Sequence, residues 1–240
     1  MFKESLQKHL SINNQANNCV NCEKRCALFN VLSRDERQYL HQNKHEVKYK
    51  SREIILKQGT AMTHVVSFSA GLAKIYVEGY NNRDLILQIQ KSTQVVAGPG
   101  MYVDSRHHFS MAALLDSTVC LIDINIFKEL VRKNSNFMES FFSEMSQRSI
   151  ATFEKFVNIT QKQMHGRIAD ALIYLCEEVF CQNPFDMIIS RQDLADMSGM
   201  SKESACRILK EFKSEGIISV KGNKIEILND KLLKSISLNG

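Results

Sequence analysis

Three thiols within eight residues, CVNCEKRC at 19–26, are the densest run of chemistry-bearing side chains in this 240-residue chain. Thiolates at this spacing can hold a metal ion or cluster. The Cys19–Cys22 pair is also a CxxC able to exchange a disulfide, and spacing alone does not separate these readings from thiols without a function. Cys176 and Cys181 fall in or after a helical stretch with no close His or Cys partner, and read as structural. His107 and His108 read as loop or packing residues rather than ligands. An enzyme finds little support: no phosphate-cradling Gly-rich loop and no Ser/His/Asp constellation is evident. A thiol–disulfide oxidoreductase would place its CxxC in a βαβ setting, which the pattern lacks.

A second group lies near the other end, in ISRQDLADMSGMSKESACRILKEFKSEGIISVKGNKIEIL, residues 189–228. Ser190 with Asp193 three residues on is an N-cap pair opening a short helix. Ser198-Gly199-Met200 is a tight turn, and Ser201 caps a second helix ending near Gly216. This is the pattern of a helix-turn-helix. Two short strands around Lys221-Gly222-Asn223-Lys224 then make a basic hairpin, or wing. On the second helix Glu203 and Arg207 are four apart and share a face. Glu accepts from cytosine N4 and Arg forks onto guanine O6 and N7, so the pair suits base reading in double-stranded DNA. Lys202, Lys210, Lys213, Lys221 and Lys224 suit phosphate contacts. Over 201–224 six basic residues face three acidic ones, a local excess that the whole-chain charge of +5 conceals.

The elements that must position these groups change character along the chain. Residues 28–43 have helical spacing, with Ser33 as a cap for a helix running through Glu36. From His45 to about Asp123, short β-rich runs alternate with turn residues, which suggests an antiparallel barrel or roll; GPG at 98–100 breaks that rhythm. Ile126 to about Thr160 reads as helix. Within it Met138, Phe142, Met145, Ser149, Thr152, Phe156 and Ile159 approximate a heptad seam suited to pairing with a second copy. Phe137, Phe141 and Phe153 supply a second apolar face. Residues 164–181 form another amphipathic helix. The start MFKESLQKHL lacks an apolar signal-peptide region, and no apolar run is long enough to span a bilayer. A cytoplasmic protein with reduced thiols and no membrane association is the expectation.

A β-roll, a long pairing helix and a C-terminal winged helix, in this order, resemble the CRP/FNR family of bacterial transcription regulators over nearly the whole chain. GMSKESACRILKEFKSEGIISVKG is similar to the family's recognition helix and wing. The resemblance implies an α+β fold: an N-terminal cysteine segment (1–30), a cyclic-nucleotide-binding-like jelly roll as sensor (31–133), a dimerisation helix (134–160) and a winged helix-turn-helix (161–240). It implies a homodimer on DNA with RNA polymerase as partner. Glu203 and Arg207 match the family's base-reading residues, and Ser204 a position contacting the DNA backbone. Cys206 stands at a specificity position where oxygen-sensing members have Ser and cyclic-AMP members Gly. The stretch AGPGMYVDSRHHFSMAALLDSTVCLID lacks the Gly-Glu pair of cyclic-nucleotide members, and His107-His108 stand near where their phosphate Arg would lie. A cyclic nucleotide is therefore not expected. The stretch is instead similar to the FNR-type oxygen sensors, which implies Cys19, Cys22, Cys26 and Cys120 as ligands of a [4Fe–4S] cluster, with a Cys22–Cys26 gap shorter than the usual one. A structural zinc ion on the same four ligands, a thiol switch, or another small-molecule effector are the alternatives.

Overall fold

The structure is a computed structural model that describes residues 19–22 and 24–240; residues 1–18 and Glu23 of the expected cysteine segment lie outside the described residues. Two compact units emerge. One comprises the described residues up to Val77 together with 89–150, the other 78–88 together with 151–240.

The first unit begins with a 3₁₀ turn, Ala27–Val31, and helix α1, Arg34–Gln42. The expected Ser33 cap is a full capping box: Ser33 accepts from the Glu36 amide, and the Glu36 carboxylate accepts from the Ser33 amide at 2.7 Å. Eight strands follow: β1 Lys44–Tyr49, β2 Ile54–Leu56, β3 His64–Ala70, β4 Leu72–Val77, β5 Leu85–Lys91, β6 Gln94–Val96, β7 Ser110–Ala113 and β8 Ser117–Asp123. They form two four-stranded sheets, ordered β1-β8-β3-β6 and β2-β7-β4-β5. Strand β3 does not alternate. From Val65 to Ala70 every residue is buried, because Val66 and Phe68 belong to one apolar cluster and Val65 to another. The second cluster gathers Leu40, Phe127, Phe137 and Phe141 against the roll, with Phe127 edge-on to both Phe137 and Phe141.

The expected helix from Ile126 to Thr160 is two helices, α2 Ile124–Lys133 and α3 Ser135–Gln161. Asn134 divides them. Its backbone is extended, and its side chain accepts from the Phe137 amide at 3.0 Å while donating to the Glu36 carboxylate. Asn competes with helical hydrogen bonding in this way and serves better as a cap than as an interior residue.

The second unit holds α4, Met164–Tyr174, which continues into a wider turn over Leu175–Val179. Strand β9 (Phe185–Asp186), α5 (Arg191–Met197), α6 (Lys202–Ser214), β10 (Ile218–Lys221), β11 (Lys224–Ile227) and α7 (Asp230–Asn239) complete it. The three strands pair in the order β10-β11-β9. Among the described residues no helix is long and apolar enough to cross a membrane.

Candidate nucleic-acid interface and thiol site

The segment carrying Glu203 and Arg207 is built by local chemistry. Ser190 caps α5 in a capping box with Asp193, whose carboxylate accepts from the Ser190 amide at 2.9 Å. The turn follows through Gly199 at φ +59°, a conformation that costs L-residues but not glycine. A Cβ there would also stand 3.2 Å from Ile159 Cγ2. Ser201 then caps α6 by accepting from the Ser204 amide, and its hydroxyl donates to Ser204 Oγ at 3.1 Å. Buried Ala205, Ile208, Leu209 and Phe212 fix one face of α6 inward. Lys202, Glu203, Arg207 and Lys210 are thereby exposed, with Cys206 and Ser204 half-buried beside them.

Arg207 makes its ion pair with Glu211 at 3.3 Å rather than with Glu203. Glu211 also accepts from His165 at 2.7 Å, and that hydrogen bond holds its carboxyl below the usual carboxylate range. Glu211 thus tethers the guanidinium on its own helix. The hairpin β10–β11 turns through Gly222-Asn223, Gly222 at φ +60° as the first position of a II′ turn requires. Lys221 and Lys224 face one another across it, both exposed.

Five of the seven residues of the seam expected on α3 are exposed in the single chain: Met138, Phe142, Ser149, Thr152 and Phe156. Phe142, Phe153 and Phe156 are 63–69% exposed, with Met138, Ile150 and Val157 less so, while Ser149 and Thr152 are exposed polar neighbours. At 3.6 residues per turn, Phe153 lies about 20° from Phe142 around the helix. It therefore joins the exposed stripe, not the face of Phe137 and Phe141 assigned to it. Met145 packs on the roll's apolar cluster, and Ile159 lies against Gly199. Each therefore has a neighbour within its own chain, although Met145 stays within about 20° of Phe156 around the helix.

The four cysteines are not gathered at one point. Cys120 accepts from Lys44 Nζ at 3.4 Å, and Cys19 and Cys22 lie close enough to be felt electrostatically there. Burial pushes the Cys19 thiol up to about 11 and raises that of Cys120, with the Lys44 ammonium opposing both. Cys26 is 1% exposed and sits instead near Glu144 and Arg148; burial pushes it up to about 11 as well. Arg148 donates to the Val95 carbonyl and pairs with Glu144 at 3.6 Å. A four-thiolate cluster needs four converging sulfurs, and among the described residues no group of three or more His, Cys, Asp or Glu is disposed to hold a metal ion. In this arrangement Cys26 does not fit that ligand set. Lys44, which sequence reading missed, donates to Cys120 and is close enough to Cys19 to be felt electrostatically.

The stretch compared with a cyclic-nucleotide phosphate site is also engaged elsewhere. Arg106 donates to the Gly59 carbonyl at 2.7 Å, His108 pairs with Asp104 at 3.1 Å, and His107 is buried. A Cβ on Gly98 would meet Met62 Cε at 2.8 Å.

A capped helix-turn-helix with a basic wing, following a double-sheeted roll and a long helix, is the arrangement of a DNA-binding regulator. A family model described as "Crp-like helix-turn-helix domain" matches residues 166–236, and one described as "Cyclic nucleotide-binding domain" matches 46–134. The chain belongs to the CRP/FNR family of DNA-binding transcription regulators. It is 24% identical over 187 residues to the cAMP-activated global transcriptional regulator CRP of Salmonella typhimurium, covering 76% of this chain and 89% of that one. It is 25% identical over 191 residues to Electron transport regulator A of Shewanella oneidensis, covering 78% and 76%. The fold is similar to the structure of FixK2 from Bradyrhizobium japonicum, with a TM-score of 0.73 at 18% identity over 80% of this chain and 96% of that one.

Proposed function

We propose that this regulator binds DNA as a homodimer, reads each half-site with Glu203 and Arg207, and is controlled through thiol chemistry at Cys19, Cys22 and Cys120. The observation that carries the reading is the exposed face of α6, where Lys202, Glu203, Arg207 and Lys210 stand out beside the Lys221–Lys224 wing. Residues 31–133 serve as sensor, 134–160 as dimerisation helix, 161–240 as reader, and RNA polymerase is the partner the family implies. The signal acts on the roll through its thiols, not through a cyclic nucleotide. Support comes from Arg106 and His108 being engaged by Gly59 and Asp104, and from Lys44 binding Cys120. Similarity to a regulator of electron transport is in keeping with a redox signal.

The test compares DNA affinity and bound iron, sulfide and zinc in protein purified anaerobically and then exposed to air. Cys120→Ser should abolish the difference in affinity between the two states, whereas Cys181→Ser should preserve it. A wild-type protein with equal affinity in both states would refute thiol control. Four equivalents of iron lost equally from Cys26→Ser and Cys120→Ser would instead restore the full four-cysteine ligand set, requiring Cys26 to leave Glu144 and Arg148.

A further inference from the structure

The face of α6 that carries Arg207 is tied to α4 through one carboxylate. His165, in the first turn of α4, donates from Nε2 to Glu211 Oε2 at 2.7 Å. Glu211 Oε1 accepts from Arg207 Nη1 at 3.3 Å. A carboxylate can only accept, so the imidazole carries a proton on the Nε2 that faces it. The ring itself is placed by packing. It stands tilted against Phe212, with centroids 6.0 Å apart, and Phe212 is almost fully buried.

Arg207 has two carboxylates within reach along its own helix, Glu203 four residues before it and Glu211 four residues after. Either spacing permits an ion pair. Glu211, the one bonded by His165, is the one that holds the guanidinium. All three side chains of this chain of contacts are more than a third exposed, and ion pairs at such exposure add little to stability. Their consequence is order. An unanchored glutamate on a half-exposed face spreads over several staggered rotamers and would carry the guanidinium with it. Anchored by His165, it fixes Nη1 and leaves Nη2 and Nε of the fork for a ligand.

We propose that His165 is a positioning residue for base recognition: through Glu211 it holds the Arg207 guanidinium in the orientation that meets guanine, and so sets how strongly the reader discriminates at that base pair. The inference rests on the base-reading role proposed for Arg207. His165 does two things, packing on Phe212 and donating to Glu211, and two substitutions separate them. His165→Phe keeps a ring against Phe212 and removes the donor. His165→Gln gives up the ring and keeps an N–H near the place of Nε2.

The full-length protein is titrated, by fluorescence anisotropy, into two duplexes. One carries the inverted repeat that the wild type selects; in the other, the G·C pair that Arg207→Ala ceases to prefer is changed to A·T. The readout is the ratio of the two affinities. His165→Phe should lower that ratio about threefold to tenfold, the scale of leaving one long side chain unordered, with affinity for a random-sequence duplex unchanged. His165→Gln should restore most of it. Glu211→Ala should lower the ratio to a similar extent, and adding His165→Phe to it should lower it no further. A ratio lost in Arg207→Ala but intact in His165→Phe overturns the proposal and leaves base reading standing. Loss in His165→Gln with retention in His165→Phe overturns it too, assigning His165 to packing alone. Should His165→Phe not fold, His165→Ala compared with His165→Gln isolates the same donor, and equal ratios overturn the proposal. An Arg207→Ala protein with the wild-type ratio, or a wild type that selects no repeat, removes base reading and this proposal with it.

Discussion

Phe153→Ala separates the stripe that the structure exposes from the seam that heptad spacing suggests. A phenylalanine offers some 150–250 Å² for burial, and Phe153 is 69% exposed in the single chain. Removing the ring while keeping Cβ forfeits roughly 100 Å² of apolar contact, about 2.5 kcal/mol at 25 cal/mol per Å². A two-fold interface loses it twice, about 5 kcal/mol, which raises the dimer dissociation constant more than about a thousandfold. Met145→Ala should behave differently, because Met145 packs on its own roll; it should lower the unfolding midpoint of the first unit and leave dimerisation nearly unchanged. Sedimentation equilibrium across a concentration series measures both variants. A Phe153→Ala protein that dimerises like wild type, with Met145→Ala monomeric, would refute an interface centred on Phe153 and favour the heptad seam through Met145.

Lys221→Ala in the wing should weaken binding to all DNA sequences alike and lower the slope of log affinity against log salt by about one, as read from anisotropy titrations at several salt concentrations. Lys155 donates to the Met197 carbonyl, yet burial lowers its pKa from 10.5 to about 8, Asp170 opposing the shift. The unfolded chain therefore holds more protons between pH 8 and 10.5, so this group's contribution makes stability rise with pH across that window, by up to about 3 kcal/mol. Lys155→Met should flatten that rise in denaturant midpoints recorded from pH 7 to 10.5; an identical pH profile in the variant would show that the lysine is not destabilised.

The fold was largely legible because its signals are local. Ser33, Ser190 and Ser201 cap helices where a hydroxyl followed by a helical pattern said they should, and Gly222 turns the wing as its neighbours implied. The errors arose where tertiary contacts override local pattern. Nothing near Asn134 in sequence announces Glu36, the distant carboxylate that it also binds. Strand β3 lost its alternation because both its faces are covered, which no strand can report about itself. The heptad on α3 was read by spacing alone, which could not announce that Met145 also packs on the roll or that Ile159 lies against Gly199. Lys44 reached Cys120 through the pairing of β1 with β8, across 76 residues of chain.

Selection of bound duplexes from a random library, by wild type and by Arg207→Ala in parallel, tests the central claim most directly. The account predicts that wild type selects an inverted repeat with half-sites about 34–36 Å apart, each with a strongly preferred G·C pair. Arg207→Ala should lose that preference, at a cost of about 1–3 kcal/mol per half-site, while keeping the rest of the motif. An identical motif selected by Arg207→Ala, or no motif from wild type, would contradict it.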